Sequence, residues 1–401
     1  MLMETLESAL SLLLDHVACG GETEQVALLD SVGRVAAAAV TSPIQVPPFD
    51  RSPLDGYAVH SEDIASASPE SPVTLKVIGE ADAGCGEVFR PMRGEALRIM
   101  TGAPVPRECD CVIMQERTNE GMDTVEIYAP VGHGKNICWA GEDVSLGQTV
   151  LEAGTQITCE HISVLASLGV THLTCYRRPK VALLCTGDEL KQPGEALTFG
   201  KIYDSSRSML TLRIRQLGAE CIPLMSEADD PERVARVLTE ALETADLVIT
   251  TGGVSVGKKD IFHQVLPLMQ ANRLFWKVAI KPGTPMMAGT VNGKLMICLS
   301  GNPFASRACF ELLARPVIEK LCGIPAPIDR RVKTVFRGSF PKGGKQRRIV
   351  RARFDGTCAR LTADNNSSGS LFAMIGANCL MDIPADHGEL HDGDEVEIVL
   401  L

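Results

Sequence analysis

Residues 179–322 alternate between apolar runs and amphipathic stretches, and that alternation limits the architectures open to this chain. VALLCT, ECIPLM, DLVITT, FWKVAI and LMICLS read as strands, while SRSMLTLRIRQLG, PERVARVLTEALE and a run after Gly257 read as helices. Such alternation builds a doubly wound α/β sheet, whose ligand crevice lies outside the carboxyl ends of its strands. The second helix is well signed: Asp230 as N-cap, Pro231 in the first turn, then Val234, Val237, Leu238, Ala241 and Leu242 on one face. Asn302-Pro303 opens another helix in the same way.

A chain of 401 residues exceeds one ordinary core, so several domains are expected. Residues 1–45 read as mostly helical, led by a helix with Leu6, Leu10, Leu13, Leu14 and Val17 on one face. The four prolines of TSPIQVPPFDRSP mark a boundary, after which VTLKVIG, ALRIM, CVIMQE and TVEIYA are short strands between turns. EHISVLASLG is helical again, and five short strands after residue 327 predict a small β barrel or sandwich. The expected domains are 1–45 plus 140–178 (mixed and discontinuous), 46–139 (inserted and β-rich), 179–326 (α/β) and 327–401 (β).

A hydrophobic share of 45% and a charged share of 22% fit a soluble globular protein. No apolar run reaches spanning length and the N-terminus lacks a basic leader, so no membrane role is expected and the cytoplasm is the expected location. The 14 cysteines contain no CxxC pair and read as scattered reduced thiols. The net charge of -11 hides an asymmetry: residues 329–353 carry ten Lys/Arg and one acid. That segment reads either as solvated strand faces or as a contribution to an anion site. Aromatics at 4% supply no stacking platform for nucleic acid.

The strand ends carry the chemistry. LVITTGGVSVGKKD (247–260) runs from a buried strand through a glycine turn towards a helix, a geometry suited to an anion. Gly252, Gly257 and Lys258 fit a P-loop, but Lys259 stands where Ser or Thr must hold Mg²⁺, and an ammonium cannot ligate a cation. Glu189, Asp229 and Asp260 join the glycine turns at 187, 252–253 and 301 on one rim, together with Lys277 and Lys281. Carboxylates there suit a hard cation such as Mg²⁺, and lysines an oxyanion. Lys277 and Lys281, four apart on one strand, would share a face about 13 Å apart if extended.

DRSPLDGYAV, RIMTGAP, GED, TGDEL, TTGGVSVGKKD, WKVAIKPG and SGNPFAS together resemble, in order and spacing, the molybdopterin molybdenumtransferase family, which comprises MoeA and the E domain of gephyrin. The resemblance covers essentially the whole chain. It implies a homodimer whose sites combine the α/β domain of one subunit with other domains of its partner. It also implies insertion of molybdate into adenylylated molybdopterin (molybdopterin-AMP) with release of AMP, assisted by Mg²⁺. Carried over by position, Asp55, Thr101, Asp143, Glu189, Asp229 and Asp260 fall on functional polar positions, with Glu189 and Asp229 as metal candidates. Gly252, Gly253, Ser255, Lys277, Lys281, Asn302, Pro303, Arg351 and Ser370 fall on substrate-binding positions. A molybdopterin adenylyltransferase and molybdoenzyme maturation proteins are the implied partners. Leu54, Ser300 and Ala305 depart from the family's usual Met, Pro and Ser; Ala305 removes one hydroxyl near the oxyanion, with Ser306 one residue on. The alternative reading is a non-catalytic molybdopterin-binding scaffold.

Overall fold

The structure, a computed structural model, describes residues 3–225, 229–255, 260–341, 344–363 and 369–401. The chain divides into two compact units, one of Met1–Ala38, Ala153–Thr158 and His172–Leu401, the other of Ala39–Glu152 and Cys159–Thr171.

In the first unit the expected N-terminal helix runs Leu6–Asp15, its end capped by the Thr5 hydroxyl, which accepts from the Ser8 N–H at 3.1 Å. Leu6, Ala9 and Leu13 are buried. The mostly helical reading of residues 1–45 does not hold beyond this helix. Gly20 turns the chain with φ +67, and Thr23–Ala27 then pairs antiparallel with His172–Tyr176.

The central sheet has the order Glu220–Pro223, Lys180–Cys185, Leu247–Thr251, Lys294–Leu299, Met287–Val291, Asn272–Trp276. The strands run parallel except Met287–Val291, which pairs antiparallel with both of its neighbours. Side chains alternate between two cores. Val181, Leu183, Leu247 and Ile249 meet the N-terminal helix and Ser205–Gln216, while Ala182, Leu184, Val248 and Met296 meet Pro231–Thr244 and Phe262–Leu268. Asp230 caps its helix as expected, accepting from the Glu232 and Arg233 N–H groups. Met287–Val291 was not expected. It forms a hairpin with Lys294–Leu299 through Asn292-Gly293, both left-handed at φ +50 and +78, the signature of a two-residue turn.

One expectation needs correction. FWKVAI is not one strand: Asn272–Trp276 ends the sheet edge, Lys277 takes φ +74, and Ile280–Lys281 joins a different sheet beside Arg347 and Arg348. Five of the ten cations of the basic segment are paired with acids. Arg330 reaches Glu319, Arg331 reaches Asp382 and Glu397, Lys333 reaches Glu395, Arg337 reaches Asp392, and Arg347 reaches Asp382 and Glu7. These strands belong to a closed five-stranded barrel of Arg331–Phe336, Arg347–Phe354, Cys358–Leu361, Cys379–Ile383 and Glu395–Leu400.

The second unit holds a five-stranded sheet ordered Cys111–Met114, Gly56–Val59, Glu95–Ile99, Val73–Ala81, Thr124–Ile127. It includes every strand expected between 73 and 129. Among the described residues no helix is long and apolar enough to cross a membrane.

Candidate active site

From Lys180–Cys185 the chain first adds Glu220–Pro223 on one side and then crosses to place Leu247–Thr251 on the other. That reversal is a topological switch point, where two loops part and leave a crevice. A cleft of about 380 Å³ opens there. It is lined by Glu189, Asp229, Gly252, Gly253, Ser255, Asp260, Asn302 and Pro303, eight of the residues marked from the sequence. Gly257, Lys258 and Lys259 lie outside the described residues.

The glycine turn is set by close packing. Gly252 has φ +92, and a Cβ there would sit 2.4 Å from the Thr186 carbonyl oxygen; one on Gly301 would sit 3.2 Å from the Gly252 Cα. The two loops therefore touch backbone to backbone. The Gly252 N–H donates to the Leu299 carbonyl at 3.1 Å, so this amide belongs to the sheet and is not offered to an anion. Asn302 caps the next helix, accepting from the Ala305 N–H at 3.3 Å. Ala305 is buried, and the Ser306 hydroxyl turns back to donate to the Pro303 carbonyl at 3.0 Å. The Ser306 hydroxyl is therefore engaged within its own helix. Ser300 does line the cleft.

Sequence reasoning missed Asp204. Its place before a helix reads as a cap, and it is one: the carboxylate accepts from the Arg207 N–H at 2.9 Å. Its second oxygen, however, is buried without a hydrogen-bond partner on the cleft wall. Asp260 is similar. Its side chain is 7% exposed and both oxygens lack hydrogen-bond partners. Burial pushes its carboxyl above the ordinary range, partly offset by the charge of His263, whose Nε2 lies 3.2 Å from Oδ2.

The lining thus gathers four carboxylates, Glu189, Asp204, Asp229 and Asp260, and no lysine or arginine among its described residues. An anionic ligand entering such a cleft meets repulsion unless a cation comes with it. Oxygen donors with unused lone pairs fit a hard divalent ion of the Mg²⁺ kind, which keeps several waters and needs only one or two carboxylates plus ligand oxygens. Among the described residues no three acidic, His or Cys groups already converge as a metal cage.

Other sequence-marked residues lie elsewhere. Lys277 is half-buried, with its ammonium 4.1 Å from the Trp276 ring centroid, and Lys281 is exposed. Arg351, 1% exposed, stacks on Phe304 at 4.4 Å and donates to the Ser370 carbonyl at 2.6 Å. It lines a separate cavity with Met209, Arg213 and Arg307. Burial holds its guanidinium below the usual arginine range. In the second unit Asp55 accepts from the Thr101 N–H at 2.7 Å and hydroxyl at 2.8 Å. Those bonds hold its carboxyl below the usual range. Asp143 is exposed in the same unit.

A doubly wound domain with an acidic switch-point cleft, carried with a closed barrel and a separate β-rich unit, defines a multidomain α/β protein built to hold a ligand at that cleft. Residues 4–169 match the MoeA N-terminal region (domain I and II), 182–320 a probable molybdopterin binding domain, and 333–401 the MoeA C-terminal region (domain IV). The molybdopterin molybdenumtransferase of Staphylococcus aureus (strain MSSA476) is 36% identical over 94% of this chain and 90% of its own. That of Staphylococcus epidermidis (strain RP62A) is 35% identical over 92% and 89%. The molybdopterin biosynthesis MoeA protein of Pyrococcus horikoshii OT3 superposes with a TM-score of 0.85 at 30% identity, with both chains fully covered. The chain belongs to the molybdopterin molybdenumtransferase family and is a transferase.

Proposed function

We propose that this transferase acts in molybdenum cofactor biosynthesis, inserting molybdate into adenylylated molybdopterin and releasing AMP. The observation that carries this reading is the cleft itself. In a chain of this family, carboxylates and packed glycine turns converge at the switch point in the domain that matches the molybdopterin binding region. Glu189 and Asp229 would hold Mg²⁺, which when bound would offset the negative charge that develops as the phosphoanhydride breaks. The glycine contact between residues 252 and 301 fixes the two loops that flank the ligand, so the reacting groups are held in place before reaction. Asp260 faces the cleft as a desolvated carboxylate suited to orient or deprotonate a polar group of the pterin. Lys277 and Lys281 offset the desolvation of the molybdate dianion, and Arg351 and Ser370 contribute through the barrel. Asp55, Thr101 and Asp143 act from the second unit as polar contacts. The protein works as a cytoplasmic homodimer, receiving substrate from an adenylyltransferase and passing product to maturation proteins.

The test is release of AMP from adenylylated molybdopterin on addition of molybdate and Mg²⁺. Glu189→Ala abolishes it while leaving Tm unchanged, because Glu189 is exposed at the cleft mouth. Tight pterin binding by the wild-type protein with no AMP release would favour a non-catalytic scaffold. Wild-type turnover by the variant would remove Glu189 from the reaction.

A further inference from the structure

Asp260 has both carboxylate oxygens buried without hydrogen-bond partners, and its contacts with described side chains lead out of the cleft. At the second position of the Phe262–Leu268 helix, His263 sets its Nε2 3.2 Å from Asp260 Oδ2, an ion pair when the imidazole is protonated. The imidazole stands edge-to-face on Trp276, with ring centroids 4.4 Å apart and planes at 88°. The Lys277 ammonium lies 4.1 Å from the centroid of the same indole. Lys277 is held there in a left-handed backbone (φ +74) that a long side chain rarely adopts, a local cost accepted where the surrounding structure over-determines it. Its N–H donates to the Met286 carbonyl and its own carbonyl accepts from the Glu4 N–H.

We propose that His263 is the positioning residue of Asp260: clamped edge-on by Trp276, its Nε2 holds the Asp260 carboxylate directed into the cleft. Trp276 ties that clamp to Lys277, so the acidic cleft wall and the lysine are placed by one aromatic contact. Among the described residues, the other groups near Asp260 do not supply this contact. Glu189, Asp204 and Asp229 share its cleft and carry the same sign. Cys298, on the strand behind it, is a thiol pushed up to about 12 by burial and stays neutral. Attraction from His263 is the larger of the two effects that offset burial at Asp260, ahead of the Phe262 backbone.

Two measurements test this, and only the second depends on the molybdate-insertion reading. The first is a double-mutant cycle on Tm. His263→Ala lowers Tm by about 2–4 °C at pH 7, as expected for loss of roughly one charge contact in a domain of this size. The loss disappears in an Asp260→Asn background and shrinks as the pH is lowered far enough to protonate Asp260. A loss that persists unchanged in Asp260→Asn and at low pH would show that His263 only packs on Trp276, and would overturn the proposal. The second is AMP release. His263→Ala lowers kcat at least tenfold with little change in KM, and moves the acid limb of the rate profile to higher pH. His263→Lys, which restores the charge, recovers part of kcat. A wild-type acid limb and kcat in His263→Ala would overturn the proposal. If the cycle shows coupling but wild-type protein releases no AMP, the proposed reaction fails and the positioning role stands.

Discussion

Gly252→Ala tests whether the switch-point cleft is held open by backbone contact. Two costs add at this position. An alanine at φ +92 carries about 1–2 kcal/mol of conformational strain. Its Cβ must also move off the Thr186 carbonyl oxygen, which it would meet at 2.4 Å, and overpacking of that kind costs about 1–3 kcal/mol. Gly293 isolates the first cost. It lies in a hairpin turn joining two strands of the same sheet, at φ +78, but a Cβ there meets nothing within 4 Å. Gly293→Ala should therefore lose about 1–2 kcal/mol, and Gly252→Ala about 2–5 kcal/mol. The assay is urea unfolding followed by Trp276 emission in a Trp139→Phe background, since Trp276 ends the edge strand of this sheet and Trp139 belongs to the other unit. Turnover separates the variants further. Pushing Thr186 away by even part of an ångström shifts the loop that carries Glu189, so Gly252→Ala should lose at least tenfold in AMP release while Gly293→Ala keeps it. Equal stability and equal turnover in the two variants would refute the claim that this contact builds the site.

Asp382→Asn should destabilise the barrel by about 3 kcal/mol at pH 7, because it strips Arg331 and Arg347 of a carboxylate that is almost fully buried. Burial pushes that carboxyl up, but the hydrogen bonds from Arg347 and Arg331 outweigh it and hold it below the usual range. Its stabilisation is therefore present above about pH 4 and lost as the pH falls through the folded-state value, so the gap to wild type should close in acid denaturation curves. Brief iodoacetamide treatment at pH 7.5 should label exposed Cys19 and Cys159 and spare Cys185, Cys309 and Cys322, whose thiols burial pushes up to about 12; peptide mapping reads this directly.

The α/β domain was legible because its signals are local. Strand runs, the Asp230 cap and the glycine turns each sit within a few residues, and the cleft follows from their alternation. What escaped was set by distant contacts. Nothing between Trp276 and Val278 resembles a turn signal, yet the strand breaks there because Met286 and Glu4 take the two backbone groups of Lys277. Five of the ten basic residues of 329–353 have their acids, Glu7, Glu319, Asp382, Asp392, Glu395 and Glu397, elsewhere in the chain, where no local reading finds them. Asp204 was hidden by its capping role: one oxygen satisfies the cap, and only the fold shows where the other points.

The broken strand also changes what the lysine pair can do. Lys277 and Lys281 do not line one face of a strand as two equivalent charges. Lys277 is half-buried and its ammonium is already placed over an indole, so little conformational freedom is lost when it meets an anion. Lys281 is exposed on a two-residue strand attached to the barrel, where water and salt screen its charge. In the proposed reaction Lys277→Ala should raise KM for molybdate at least tenfold. Trp276→Phe, which keeps a ring but weakens the cation–π contact by about 0.5–1 kcal/mol, should raise it about two- to fivefold. Lys281→Ala should have a smaller effect that fades between 50 and about 500 mM salt. The double Lys277→Ala, Lys281→Ala variant should then be additive, as for groups without a shared ligand contact. Strong non-additivity would mean that both ammonium groups close on a single anion despite their separate strands, and the division of labour drawn from the strand break would be wrong.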